Sequence, residues 1–171
     1  MMDNNYSIKD IDRATAIEIL KWRYDDEYRM YNENFNEADI GEMLDSGCLG
    51  VTGDDDETVG FFCYGQRARA IDVENIGVYE DESFTDFGLG MKPELCGKGS
   101  GERFMKFGLK TGHDRFGIDK YRLSVDESNK RAVRLYEKCG FIKKETFKGV
   151  YNGIHAVFLI MQLVFPVDFD V

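Results

Sequence analysis

The sequence predicts a single α/β (α+β) domain with helices on both faces of one central sheet, and three observations carry that prediction. Runs rich in β-formers alternate with helical periodicity in the order βαα, then ββ, then β-α-β-α-β-β. The stretch Ala156–Val164 is almost continuously apolar, as expected of a strand covered on both sides. The chain has 171 residues, 43% of them hydrophobic, which suits one domain of ordinary size with a substantial core.

Taken in order, Tyr6-Ser7-Ile8 is the first expected strand, and residues 14–20 form a helix entered near Asp12. Residues 37–44 form a second short helix ending near Gly47. Residues 48–52 and 58–64 are β-rich and flank Gly53-Asp54-Asp55-Asp56-Glu57, so a hairpin is expected. Residues 67–83 are polar, acidic and weakly periodic, which predicts a long loop. Strand 84–91 is stopped by Pro93, and helix 101–116 carries Phe104, Met105, Phe107 and Leu109, although Gly108 and Gly112 weaken it. Strand 121–125, helix 129–138 closed by Gly140, and strands 141–147 and 156–164 complete the chain.

Charge narrows the function. The net charge of −10 hides an asymmetry: residues 1–91 hold 7 basic and 22 acidic side chains, whereas residues 92–148 hold 15 basic and 8 acidic. A general nucleic-acid binder needs a broad positive field, so that class is excluded, while a local anion pocket in the basic segment is allowed. No apolar stretch approaches the length of a membrane span, and Met1-Met2-Asp3-Asn4-Asn5 does not resemble a secretory leader. Cys48, Cys63, Cys96 and Cys139 form no C-x-x-C pair, and two histidines are too few for a zinc site. The expectation is a cytoplasmic protein with reduced thiols and no metal.

The segment Leu89-Gly90-Met91-Lys92-Pro93-Glu94-Leu95-Cys96-Gly97-Lys98-Gly99-Ser100-Gly101 carries the most chemistry. A strand ends, three glycines alternate, and a helix begins, which offers backbone N–H groups and a helix dipole to an anion. The dinucleotide fingerprint fails because Glu102 stands where glycine is needed, and the Walker pattern fails at Gly99. On spacing alone, a phosphate site and an ordinary turn with a helix cap are equally open. Asn129 and Tyr136 lie two helical turns apart, about 10.5 Å along one face. By themselves they are most simply a cap and a boundary aromatic.

Together these segments resemble the GNAT superfamily of acyl-CoA N-acyltransferases. The run Cys96-Gly97-Lys98-Gly99-Ser100-Gly101 matches the pattern Q/R-x-x-G-x-G/A except at its first position. Residues 129–141 are similar to N-x-x-A-x-x-L-Y-x-x-x-G-F throughout. The resemblance implies a mixed, mostly antiparallel sheet splayed between strands 84–91 and 121–125, with a coenzyme-binding core at about 84–145 inside a single domain, 1–171. It implies that Gly97, Lys98, Gly99, Ser100, Gly101 and Glu102 cradle the pyrophosphate of acetyl-CoA, with Leu89, Gly90 and Met91 along its pantetheine arm. The Met91 amide would stabilise the oxyanion, Asn129 would touch the coenzyme, and Tyr136 would protonate the departing thiolate.

Two departures from the pattern bear on mechanism: Cys96 replaces Gln or Arg, and Ser124 stands where many relatives carry a glutamate. Asp86 is therefore the first candidate general base and Glu74 the second. The acceptor side is expected at about 10–45 plus the loop 67–83, with Trp22, Tyr24, Tyr28 and Tyr31 interleaved with Asp25, Asp26 and Glu27. Aromatic faces with carboxylates suit a cationic amine, either a small molecule or a peptide N-terminus. The expected reaction is direct attack of that amine on acetyl-CoA in a ternary complex. The alternative is a non-catalytic acyl-CoA-binding or sensory module. A homodimer is compatible with the resemblance.

Overall fold

The computed structural model describes residues 5–74 and 77–165. Among these, eight strands form one sheet in the order β1-β2-β3-β5-β6-β8-β7-β4. The strands are β1 (Ser7–Asp10), β2 (Leu49–Thr52), β3 (Thr58–Tyr64), β4 (Ile71–Asp72), β5 (Thr85–Met91), β6 (Lys120–Asp126), β7 (Ile142–Tyr151) and β8 (Ile154–Val164). The helices are α1 (Arg13–Leu20), α2 (Glu37–Asp45), α3 (Gly101–Phe116) and α4 (Lys130–Lys138). All strand pairings are antiparallel except that of β5 with β6.

Alternation along β3 divides the core. Phe62 packs beneath α3 against Phe104 and Phe107, whereas Phe61 faces the opposite side and stacks on Trp22. The α1–α2 pair covers that second face through Ala16, Ile19, Leu20, Ile40 and Met43. Asp12 caps α1 by accepting from the Thr15 N–H at 2.8 Å, and Asn36 caps α2. The glycines of α3 have a packing cause. A Cβ at Gly108 would lie 2.7 Å from a Phe62 ring carbon, and one at Gly112 would lie 2.5 Å from the Tyr121 hydroxyl. Close contact between helix and sheet requires their absence.

Three sequence expectations change. Residues 67–83 are no simple loop: β4 pairs with β7, Val78 is buried, and Tyr79 bonds into the sheet. Its few anchors reach distant elements and leave no local periodicity. The C-terminal hairpin is longer than expected because Asn152 (φ +48°) and Gly153 (φ +74°) form a two-residue turn between β7 and β8. That pair is a strong hairpin signal. The expectation of four reduced thiols is also corrected, since Cys48 and Cys63 form a disulfide. The pairing of Leu49 with Phe62 sets residues 48 and 63 opposite each other, with Cα atoms 4.4 Å apart. No helix among the described residues is long and apolar enough to cross a membrane, and no metal-ligand cluster occurs among them.

Candidate active site

The site begins where the sheet opens. β5 pairs with β6 at Thr85–Tyr121 and Asp86–Arg122, after which the two parallel strands diverge. On its other side β5 is bonded to β3, from the Gly65 N–H to the Asp86 carbonyl (2.7 Å) through the Lys92 N–H to the Val59 carbonyl (2.9 Å). Backbone groups alternate sides along a strand. The even-numbered residues of β5 are thus committed to β3, and the N–H and C=O groups of Leu89 and Met91 face the gap. A cleft of about 650 Å³ occupies that gap.

A buried ion cluster holds the strands together below the opening. Asp86 accepts from Arg122 Nε at 2.6 Å and Nη2 at 2.9 Å, and from Arg69 Nε at 2.7 Å. Arg122 is 0% exposed and Asp86 2%. The Arg122 and Arg69 guanidinium groups lie 5.2 and 4.9 Å from the Tyr79 ring, and the Tyr79 hydroxyl lies 2.5 Å from Ser124 Oγ. Asp86 does not line the cleft, and its carboxylate is bound by two cations, a geometry that fits an anchor between strands better than the expected general base. Glu74 also lies outside the cleft, in a pair with Lys148 at 3.6 Å. The carboxylates singled out for base catalysis are thus not in the chamber.

On the side expected to take the coenzyme, the glycine turn opens onto the cleft. Gly97 (φ +73°) and Gly99 (φ +86°) adopt left-handed conformations, and nothing lies within 4 Å of a Cβ placed at Gly99. The turn therefore presents open backbone at the N-terminus of the 16-residue α3, where Ser100 makes no side-chain cap. Gly97, Gly99, Gly101 and Glu102 line the cleft with Leu89, Gly90 and Met91, whereas Lys98 and Ser100 do not. Across the turn, α4 contributes Arg131, Arg134 and Lys138 to the lining. Uncapped amides, a helix dipole and three cations fit the pyrophosphate of acetyl-CoA. The gap-facing groups of Leu89 and Met91 fit the amides of its arm.

Asn129 and Tyr136 also line the cleft. Asn129 Oδ1 caps α4 by accepting from the Ala132 N–H at 3.1 Å, and its Nδ2 donates to the Tyr31 hydroxyl at 3.2 Å. Tyr136 packs beside Phe141, and its hydroxyl has no hydrogen-bond partner among the described residues. Burial pushes the Tyr136 pKa up, so the group is a neutral donor at physiological pH.

On the acceptor side, Trp22, Tyr24, Tyr28 and Tyr31 all reach the cleft. The Tyr24 hydroxyl donates to the Met91 carbonyl at 2.8 Å, Tyr28 lies under Arg131 at 4.3 Å, and the Trp22 indole N–H is buried without a partner among the described residues. Asp25, Asp26 and Glu27, in contrast, are exposed and outside the cleft. The chamber's acceptor-side carboxylate is Glu33, half-buried, which accepts from the Tyr151 hydroxyl at 3.2 Å. Arg67 also lines the cleft. Sequence reasoning missed all three. Glu33 lies just past the aromatic run, and Tyr151 directly precedes the Asn152-Gly153 turn.

A sheet splayed over a glycine turn and a helix N-terminus defines a class of acyl-coenzyme-binding α/β domains. The Acetyltransferase (GNAT) family model matches residues 13–141, and the chain belongs to that family. It is 46% identical over 55 residues to a mycothiol acetyltransferase of Salinispora arenicola, covering 32% of this chain and 18% of that protein. It is 29% identical over 79 residues to the spermidine N(1)-acetyltransferase of Escherichia coli, covering 46% and 41%. The matches thus span less than half the length of these curated relatives.

Among solved structures, the fold resembles the spermidine N-acetyltransferase from Vibrio cholerae in complex with CoA and spermine, with a TM-score of 0.70 and 17% identity over 93% of this chain and 95% of that one. A GNAT-family acetyltransferase from Bacillus anthracis superposes with a TM-score of 0.68 and 15% identity, covering 93% and 94%. Both likenesses establish the fold.

Proposed function

We propose that the protein is an N-acetyltransferase that moves an acetyl group from acetyl-CoA to a primary amine by direct attack in a ternary complex. The observation that carries this reading is the joining, in one cleft, of the glycine cradle, the gap-facing Met91 N–H and the Tyr136 hydroxyl, which has no hydrogen-bond partner among the described residues. Acetyl-CoA supplies an activated thioester. Gly97, Gly99 and the first turn of α3 hold its phosphates, with Arg131, Arg134 and Lys138 adding charge. Leu89 and Met91 orient its arm as an extra strand in the splay.

The Met91 N–H receives the developing oxyanion, and the hydrogen bond from Tyr24 to the Met91 carbonyl anchors the following peptide unit, Met91–Lys92. Tyr136 gives its proton to the leaving sulfur and regains one that the attacking nitrogen sheds as the intermediate collapses, so the phenolate that burial disfavours does not persist. Glu33 takes the place of Asp86 and Glu74 as the base, removing the amine's proton directly or through one water. No cysteine is needed as a nucleophile, and burial raises the Cys96 pKa. The relatives named for spermidine and mycothiol support an amine acceptor of small size.

The test is thiol release from acetyl-CoA over a panel of amines, with coenzyme binding followed by thermal shift. Amine-dependent release supports the transfer. Coenzyme binding without release for any amine would support the non-catalytic module instead.

A further inference from the structure

We infer that the acceptor carries a carboxylate as well as its amine, the amine held at Glu33 and the carboxylate at Arg67. This inference rests on the acetyl-transfer reading and narrows its substrate class. The expectation of a cationic acceptor drew on the acidic run 25–27, and that run is exposed outside the cleft. Among the described residues, the carboxylates that line the cleft are Glu33 and Glu102. Glu102 belongs to the coenzyme end, in the first turn of α3, where Lys106 pairs with it at 3.0 Å. One carboxylate therefore remains for the acceptor. A chain of several ammonium groups would find a single anionic partner and would meet Arg67 beside it.

Arg67 is built for the opposite charge. It sits in a 3₁₀ turn, Gln66–Ala68, that follows Gly65 and packs against β5, where Ala68 Cβ lies 3.1 Å from the Cβ position of Gly88. Its recorded ionic partner is Glu42 at 3.6 Å, with side chains 32% and 67% exposed. Such a long, exposed pair is weak, so the guanidinium can turn to a ligand at little cost. Arg67, Glu33 and Tyr151 line the same cleft, and Glu33 is held there by the Tyr151 hydroxyl at 3.2 Å. The fork of an arginine matches a carboxylate in two parallel hydrogen bonds, and a glutamate opposite suits an ammonium. Tyr24, Tyr31 and Tyr151 line the same cleft and offer apolar ring surface to the acceptor.

Calorimetric titration of CoA-saturated protein with amino acids, each compared with its own amide and its decarboxylated amine, tests the inference. Phenylalanine, phenylalaninamide and phenethylamine form one such set; lysine, lysinamide and cadaverine form another. The expected result is that at least one amino acid binds about tenfold or more tightly than both its partners, as loss of a bidentate pair implies. Arg67→Gln should shrink that ratio to within about twofold, and Arg67→Lys should restore part of it. Equal or tighter binding of the amide or diamine, failure of every amino acid to bind, or a ratio unchanged in Arg67→Gln would overturn the inference. Thiol release is read separately: an amino acid that binds but is not acetylated contradicts the transfer reading and leaves the binding assignment standing.

Discussion

Replacing Asp86 by asparagine removes a negative charge from between two guanidinium groups while keeping the shape of the side chain. Arg122, 0% exposed, would then be a buried cation with a neutral partner. Breaking one half of such a pair costs about 3–5 kcal/mol. Asparagine keeps one carbonyl acceptor, so about 3 kcal/mol is the better figure here. Arg69 adds little, because its side chain is 31% exposed and can turn to water. For a chain of this size the loss corresponds to a fall in Tm of about 6–12 °C. Thermal and urea unfolding followed by circular dichroism measure it. The double replacement Asp86→Leu with Arg122→Met should recover most of the loss, since it removes both charges. The reasoning fails if Asp86→Asn melts within about 2 °C of the wild type while the acidic limb of the pH–rate profile disappears, for Asp86 would then be the base after all.

Other consequences concern the cleft and the hairpin. Tyr136→Phe should lower kcat by about 10²–10⁴-fold with little change in the KM for acetyl-CoA, measured by thiol release with a working acceptor. Gly99→Asp places a carboxylate in the phosphate cradle and should weaken CoA binding about tenfold or more by calorimetry. Opening the Cys48–Cys63 disulfide, by reductant or by Cys48→Ala, should cost about 3 kcal/mol for a loop with a sequence separation of 15; thiol titration of the unfolded chain should find Cys96 and Cys139 free and the other two only after reduction. Burial raises the pKa values of Tyr64, Tyr121, Tyr136 and Tyr151 above their ordinary 10.0. Their protons leave the unfolded chain first, so this contribution to stability is complete below about pH 10 and is lost as the pH rises further.

What the sequence revealed and what it hid divide along one physical line. The cradle and the helix of Asn129 and Tyr136 are local patterns, with glycines where the backbone must turn left-handed and side chains repeating on one helical face. Such features need no knowledge of the rest of the chain. The employment of Asp86 depends on Arg69 and Arg122, 17 and 36 residues away, and on which strand lies beside β5. Nothing near Asp86 distinguishes an anchor from a base. β4 was hidden for the same reason, since two residues paired to β7 make no period. The disulfide follows from hairpin register, which became visible once Leu49 and Phe62 were seen to pair. Asp25, Asp26 and Glu27 show the reverse error: a conspicuous run points to solvent, while the isolated Glu33 faces the cleft.

The most direct test of the central claim is an initial-rate study of thiol release with acetyl-CoA and amine varied together. The account predicts release that depends on the amine, with intersecting double-reciprocal lines for a ternary complex and loss of the rate in Tyr136→Phe. Amine-independent release, or parallel lines with an acetylated enzyme detected by mass spectrometry, would contradict it.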